Sequence, residues 1–200
     1  KKPNTKDLVL EKAGVTVNEK GAVIVNEFYQ TSQAHIFAGG DVAALPARYE
    51  TTAGREGTLL AGNALADEKQ TIAYEAVPST VFTDPQLASV GFTEDAQLEA
   101  LGVCACRTVS FEAVPKAIVM KRTEGLIKMA IHPKTRVIMG VHILAPHAGE
   151  LIAEAMMLIA NKNTIDDVVN SVPMFPTLSE AIKIVALSFT KDISKLSCCV

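Results

Sequence analysis

Between residues 15 and 42 the chain alternates short apolar runs with turn residues. Runs at 15–17, 22–25 and 36–38 are rich in Val, Ile and Ala, and Asn18 and Gly21 lie between the first two, a pattern that predicts short strands. From 51 to 67 the texture turns to Ala and Leu. Leu59, Leu60, Ala64 and Leu65 fall at helical spacing despite Gly54, Gly57 and Gly62, which predicts a helix that packs closely against something. The pattern changes again near residue 75. Strands are predicted at 80–83, 88–92, 104–111, 125–131 and 137–144, joined by short turns as an antiparallel meander. One helix interrupts them, with Thr93 as its N-cap, Glu94 and Asp95 in its first turn and Gly102 at its end.

The helix predicted over 149–161 carries two apolar stripes, Leu151, Ala155 and Leu158 on one and Ile152, Met156 and Ile159 on the other. A belt that wide needs cover on two sides. The sheet supplies one; the other is a partner subunit, a further part of the chain, or the domain's own core. Thr164 with Asp167, and Thr177 with Glu180, have capping-box spacing and predict two more helix starts. The expected organisation is therefore an α/β portion over 1–75 and an α+β domain over 76–200, an antiparallel sheet with helices ending in a tail from 191.

At 200 residues and 48% hydrophobic content the chain has ample material for a core. Charged residues are only 20%, the net charge is −3 and the pI is about 5.8, so no broad attraction to nucleic-acid phosphates or anionic lipid is expected. Glu154, Lys162 and Lys183 interrupt the apolar runs, and none reaches the roughly 18 residues of a spanning helix. The opening residues lack a signal-peptide pattern and read as starting inside a longer chain. Four cysteines are too few for a disulfide scaffold, and a reducing cytoplasm is the expected location.

Three places carry candidate chemistry. Gly39-Gly40-Asp41 combines backbone free of side chains with an acid able to accept from a ribityl or ribose hydroxyl; an ordinary turn is the competing reading. Phe175-Pro176-Thr177 with Glu180 marks a helix start. Cys198 and Cys199 are neighbours; consecutive Cα atoms lie about 3.8 Å apart, short of the roughly 4.4–6.8 Å usual across a disulfide, so free thiols are expected. Thiolates select soft cations, and Lys191 and Lys195 favour the thiolate form; a chance pair at a chain end is the alternative. Cys104 and Cys106 share one strand face, where burial in packing outweighs metal binding as an expectation. His35, His132, His142 and His147 show no ligand spacing, and 132–135 reads as a hairpin turn.

On these residues the chain resembles the pyridine nucleotide-disulfide oxidoreductases. The segment 3–43 is similar to the end of their FAD-binding half, where a strand enters an Ala-x-Gly-Asp turn beside the flavin's ribityl chain. The resemblance implies that Gly40 and Asp41 contact FAD, that 1–75 closes the flavin domain, and that 76–200 is the interface domain of a homodimer. In the family the second motif reads His-Pro-Thr-x-x-Glu, the histidine serving as acid-base group for a redox dithiol. Here Phe175 holds that place and carries no proton. The missing imidazole and the vicinal cysteines together resemble the mercury-handling branch of the family. That likeness implies Cys198 and Cys199 as catalytic, metal-binding residues that take Hg(II), the substrate, from thiol complexes and pass it to a dithiol of the other subunit, with NADPH as reductant. The NADPH site, the Cys-x4-Cys dithiol and the GxGxxG fingerprint do not occur in these residues, and the chain alone is expected to be inactive. A dihydrolipoamide- or glutathione-type relative, or a non-catalytic dimerisation or soft-metal module, is the alternative.

Overall fold

The computed structural model describes residues 1–195, and the chain divides into two units, Lys1–Tyr74 and Glu75–Val200. Cys198 and Cys199 lie outside the described residues.

In the first unit the apolar runs at 15–17, 22–25 and 36–38 do not become strands. They meet through single bridges, Val17 with Val23, Val23 with Ala43, and Gln30 with Phe37. The reason is local: Asn18 Oδ1 accepts from the amides of Lys20 and Ala22 at 3.0 Å, and Asn26 Oδ1 accepts from Phe28 and Gln30 at 3.0 Å. These amide-closed turns recur too often for a ladder to extend. Helix α1, Glu50–Leu65, forms as the pattern predicts but buries a different face. Thr52, Glu56, Leu59 and Asn63 point inward, while Leu65 is 93% exposed. Its buried carboxylate and amide serve backbone that the loops leave unpaired. Asn63 donates to Phe28 O at 3.3 Å and Gln70 O at 2.7 Å and accepts from Gln70 N at 2.8 Å.

The second unit is a five-stranded antiparallel sheet with helices. Its elements are β1 Ser79–Val81, β2 Gln86–Gly91, α2 Glu94–Leu101, β3 Cys106–Ser110, α3 Pro115–Met120, β4 Leu126–Ile131, β5 Ile138–Ala145, α4 Ala148–Ala160, α5 Ile165–Asn170 and α6 Glu180–Leu187. Strand order is β1-β2-β5-β4-β3, so the expected meander holds only from β3 to β5. The chain crosses through α2 to the far edge, and β5 returns to lie between β2 and β4. Short α3 replaces what the pattern left without an element, with Pro115 at its first turn, where a missing N–H costs nothing.

The core lies where β4 and β5 pair. Ile127 faces Ile143 and Met129 faces Val141, and all four are fully buried; each such side chain contributes roughly 1.5–3 kcal/mol through removal from water. Helix α4 packs on β2 and β5, and α6 on β3 and β4. Ala148, Ile152, Ala155 and Ile159 of α4 are buried, and Leu151, Met156 and Leu158 pack partly buried against the same core. The unit's own core thus takes up both stripes.

Helix α2 starts and stops as its caps dictate: Thr93 Oγ1 accepts from Ala96 N at 3.2 Å, and Gly102 closes it at φ +70. Gln97 on α2 is fully buried. Its Nε2 donates to Ile131 O at 2.8 Å and its Oε1 accepts from Ala105 N at 2.9 Å, which ties the helix to β4 and to the approach to β3. Substituting Gln97→Ala leaves the buried Ile131 carbonyl and the part-buried Ala105 amide without their side-chain partners, and urea unfolding is expected to show a loss of about 2 kcal/mol.

The capping box of α5 forms in full. Thr164 N donates to Asp167 Oδ2 at 2.7 Å and Asp167 N donates to Thr164 Oγ1 at 3.2 Å. Bonds from the Thr164 backbone and then its hydroxyl hold the Asp167 carboxyl below the ordinary carboxylate range. A depressed folded-state value means that this contribution is complete above the ordinary aspartate pKa and fades as pH falls through the lower folded value. An NMR pH titration of the Thr164 amide is expected to report that low transition, and Asp167→Asn to abolish it. Helix α6 begins later than the spacing suggests, at Glu180, because Thr177 Oγ1 donates back to Met174 O at 2.9 Å instead of capping.

Candidate functional site

The turn at 39–41 is built from the first unit outward. Gly40 has φ +70, a conformation that favours glycine, and its N–H donates to Glu56 Oε2 at 2.6 Å. Glu56 is fully buried, and its other oxygen accepts from Tyr74 Oη at 2.7 Å. Burial, then the bond to Glu56, raises the Tyr74 phenol above its usual range. A β-carbon at Gly39 would lie 2.9 Å from Leu60 Cδ2 and 3.2 Å from Glu56 Cβ, so this glycine admits α1 to the turn. The Asp41 carboxylate points outward, with a side chain 43% exposed, and pairs with Lys1 Nζ at 3.0 Å. An apolar cavity of about 320 Å³ adjoins the turn, lined by Val15, Val23, Ile36, Phe37, Gly39 and Leu60 among others. The glycine turn is fixed from behind by Glu56, and its outward carboxylate can accept hydrogen bonds from the hydroxyls of a ligand.

The segment 172–180 in the second unit presents apolar side chains to solvent. Val172 is 95% exposed and Met174 76%, and Phe175 is 43% exposed ahead of a cis peptide to Pro176. Glu180 is 3% exposed, and its Oε2 accepts from Thr177 N at 3.0 Å. The carboxylate is thus used to brace this turn. Elsewhere in the unit Val81, Phe82 and Val119 are also exposed.

Two of the four histidines, His142 and His132, are engaged structurally. His142 Nε2 lies 2.9 Å from Phe92 O. His132 Nδ1 accepts from the amides of Lys134 and Thr135 at 3.2 Å, which closes the expected hairpin turn.

The expectation of buried packing for Cys104 and Cys106 is overturned. The two are joined by a disulfide with Cα atoms 5.8 Å apart, and both are only half-buried. Cys104 precedes β3 and Cys106 opens it, so extended backbone sets both sulfurs on one side. A Cys-x-Cys spacing at a strand start was the available signal. Glu56 and Gln97 gave none, since a polar residue at an inward position reads as a solvent face until its backbone partners, distant in sequence, are known.

Residues 1–76 match the family model described as pyridine nucleotide-disulphide oxidoreductase, and residues 77–186 match the dimerisation domain of the same family. The chain is similar to the mercuric reductase of Staphylococcus aureus, 39% identical over the whole of this chain and 36% of that protein. It is also similar to the mercuric reductase of Streptomyces lividans, 40% identical over 98% of this chain and 41% of that protein. The chain therefore spans about two fifths of the length of these curated relatives. Among solved structures, the HOCl-induced flavoprotein disulfide reductase RclA from Escherichia coli superposes with a TM-score of 0.82 at 27% identity, covering 95% of this chain and 43% of that one. LpdA from Mycobacterium tuberculosis gives 0.83 at 27% identity, covering 95% and 41%. Among the described residues, no helix is long and apolar enough to cross a membrane.

Proposed function

Because the chain belongs to the pyridine nucleotide-disulphide oxidoreductase family, with an FAD-binding portion followed by a dimerisation domain, we propose that it is the C-terminal part of a homodimeric enzyme that reduces Hg(II) to Hg(0) with NADPH. FAD, when bound, supplies the two-electron link between the nicotinamide and a redox dithiol. In this chain Asp41 accepts hydrogen bonds from the ribityl hydroxyls, and Gly40 keeps that approach free of a side chain. The exposed apolar residues of 76–200 meet a second copy.

The observation that carries the reading is Phe175. Dithiol–disulfide exchange gains from a group that moves a proton between sulfurs, and a phenyl ring moves none. Transfer of a metal between thiol pairs has no such requirement. A thiolate of Cys198 or Cys199 attacks Hg(II) in a bis-thiolate complex, one S–Hg bond forms and one breaks, and the displaced thiolate takes a proton from water. The second cysteine repeats the exchange. Phe175 then walls the transfer route and keeps water from it, while Glu180 braces the turn that carries it. The similarity to mercuric reductases along the whole chain supports the same substrate.

The test compares substrates on the FAD-loaded enzyme. NADPH oxidation is expected to be supported by Hg(II)–thiol complexes with release of Hg(0) vapour, and reduction of glutathione disulfide or lipoamide to be at least ~100-fold slower for want of a proton carrier. Fast disulfide turnover without Hg(0) would reassign the enzyme to disulfide reduction.

A further inference from the structure

We propose that Cys104 and Cys106 form a second soft-cation site, closed when they are bonded to each other and open when they are reduced, with Glu94 as its third group. Their sulfurs and a Glu94 carboxylate oxygen all lie within 4.8 Å of one another. Thiolates select soft, thiophilic cations; two of them neutralise a divalent ion, and the carboxylate oxygen adds a third donor whose charge Lys128 offsets.

The surroundings hold this arrangement ready. Buried Gln97 fixes the backbone between the cysteines through Ala105 N at 2.9 Å, and its Oε1 also lies 3.6 Å from Cys106 Sγ. The sulfurs therefore stay near each other after the bond opens. Glu94 stands in the first turn of α2 and pairs with Lys128 on β4, so the carboxylate is kept beside the sulfurs by a partner of its own. Arg107 Nη1 donates to Cys106 O at 3.1 Å, and its guanidinium lies 5.6 Å from the Phe189 ring centroid, which steadies the start of β3. Half-burial leaves the pair within reach of small thiols.

Opening needs a low-molecular-weight thiol of the glutathione class. Its thiolate attacks one sulfur, the Cys104–Cys106 bond breaks, and a mixed disulfide forms. A second small thiol displaces the protein thiol, so two electrons and two protons end on Cys104 and Cys106 and the small thiols leave as their disulfide. Binding from a bis-thiolate mercury complex then forms two protein S–Hg bonds, breaks two, and passes the two cysteine protons to the departing thiolates. No electron moves in that step. The site does not depend on the tail, and it makes the second unit's affinity for soft metal a function of the thiol pool.

The experiment uses the 200-residue chain carrying Cys198→Ser and Cys199→Ser, in which Cys104 and Cys106 are the remaining cysteines of the four. Samples with and without reduction are titrated with Hg(II) supplied as a small-thiol complex, and the sulfur-to-mercury charge-transfer absorbance and the intact mass are read. The reduced protein is expected to take up one equivalent and the oxidised protein none. Glu94→Gln is expected to weaken binding of the reduced form about tenfold, as loss of a supporting group around a metal does. Equal uptake by reduced and oxidised protein overturns the proposal, as does full uptake after Cys104→Ser and Cys106→Ser. The comparison of redox states needs no change at the site, so it stands even if those last variants fold poorly. Failure here leaves the proposed Hg(II) reduction intact, since that rests on the tail and on Phe175.

Discussion

Replacing Cys198 and Cys199 together with serine is expected to lower kcat/KM for Hg(II) presented as bulky thiol complexes by ~100-fold or more, a loss of roughly 2.7 kcal/mol of transition-state stabilisation. On the proposed reading, mercury bound by two bulky thiols passes to the tail thiols before it passes to the redox dithiol. Serine keeps the size of the side chain and removes the soft donor, and hydroxyl oxygen does not compete with thiolate for a cation of this kind. Small mercury complexes that diffuse inward unaided are expected to lose much less. NADPH oxidation with a non-metal electron acceptor reports the flavin half alone and is expected to stay level. The check is a steady-state series over complexes of increasing thiol size. A uniform loss across the series would point to a folding defect, and no loss would remove the tail from the transfer route.

Gly140→Ala is expected to destabilise the second unit by about 3 kcal/mol or more, since overpacking against backbone leaves no cheap escape. Gly91 and Gly140 face each other across β2 and β5. A β-carbon on Gly140 would lie 2.0 Å from Phe92 O and 2.9 Å from Phe92 C. Phe92 N donates to Met139 O at 2.8 Å, so moving Phe92 aside breaks a bond at the end of the ladder. Gly91 is constrained from the other side, with φ +79 and a would-be β-carbon 2.1 Å from Met139 O. Thermal unfolding is expected to drop by on the order of 10 °C. A variant that melts with the parent would mean that this crossing relaxes freely.

Much of the second unit is readable from local chemistry. Thr93 and Gly102 bracket α2, and Thr164 with Asp167 opens α5, because caps are made by residues a few positions apart. Strand order is not local: nothing in the alternation at 137–144 says that β5 inserts between β2 and β4. The first unit misleads for the opposite reason. Its apolar runs have strand composition, but Asn18 and Asn26 close the backbone into turns before a ladder forms. Helix α1 was legible as a helix and not in its orientation, since its inward face includes Glu56 and Asn63, whose partners at Gly40, Phe28, Gln70 and Tyr74 are set by tertiary structure. Of the candidate chemistry, the glycine turn and the Phe175 position are visible as motifs. The shared strand side of Cys104 and Cys106 is legible, because alternate residues point the same way, but the bond between them is not, since the same spacing suits packing equally well.

The placement of β5 has a consequence during synthesis. The hairpins β1–β2 and β3–β4 pair neighbours in sequence, but β2 meets its second partner only when residues 138–145 arrive. A nascent chain emerging from the ribosome therefore carries β2 and β4 each with one unsatisfied edge until β5 closes both at once. Pairings separated by some fifty residues form late and leave apolar edges open to other chains. Prematurely terminated products lacking β5 would be the ones that chaperones and proteases must clear.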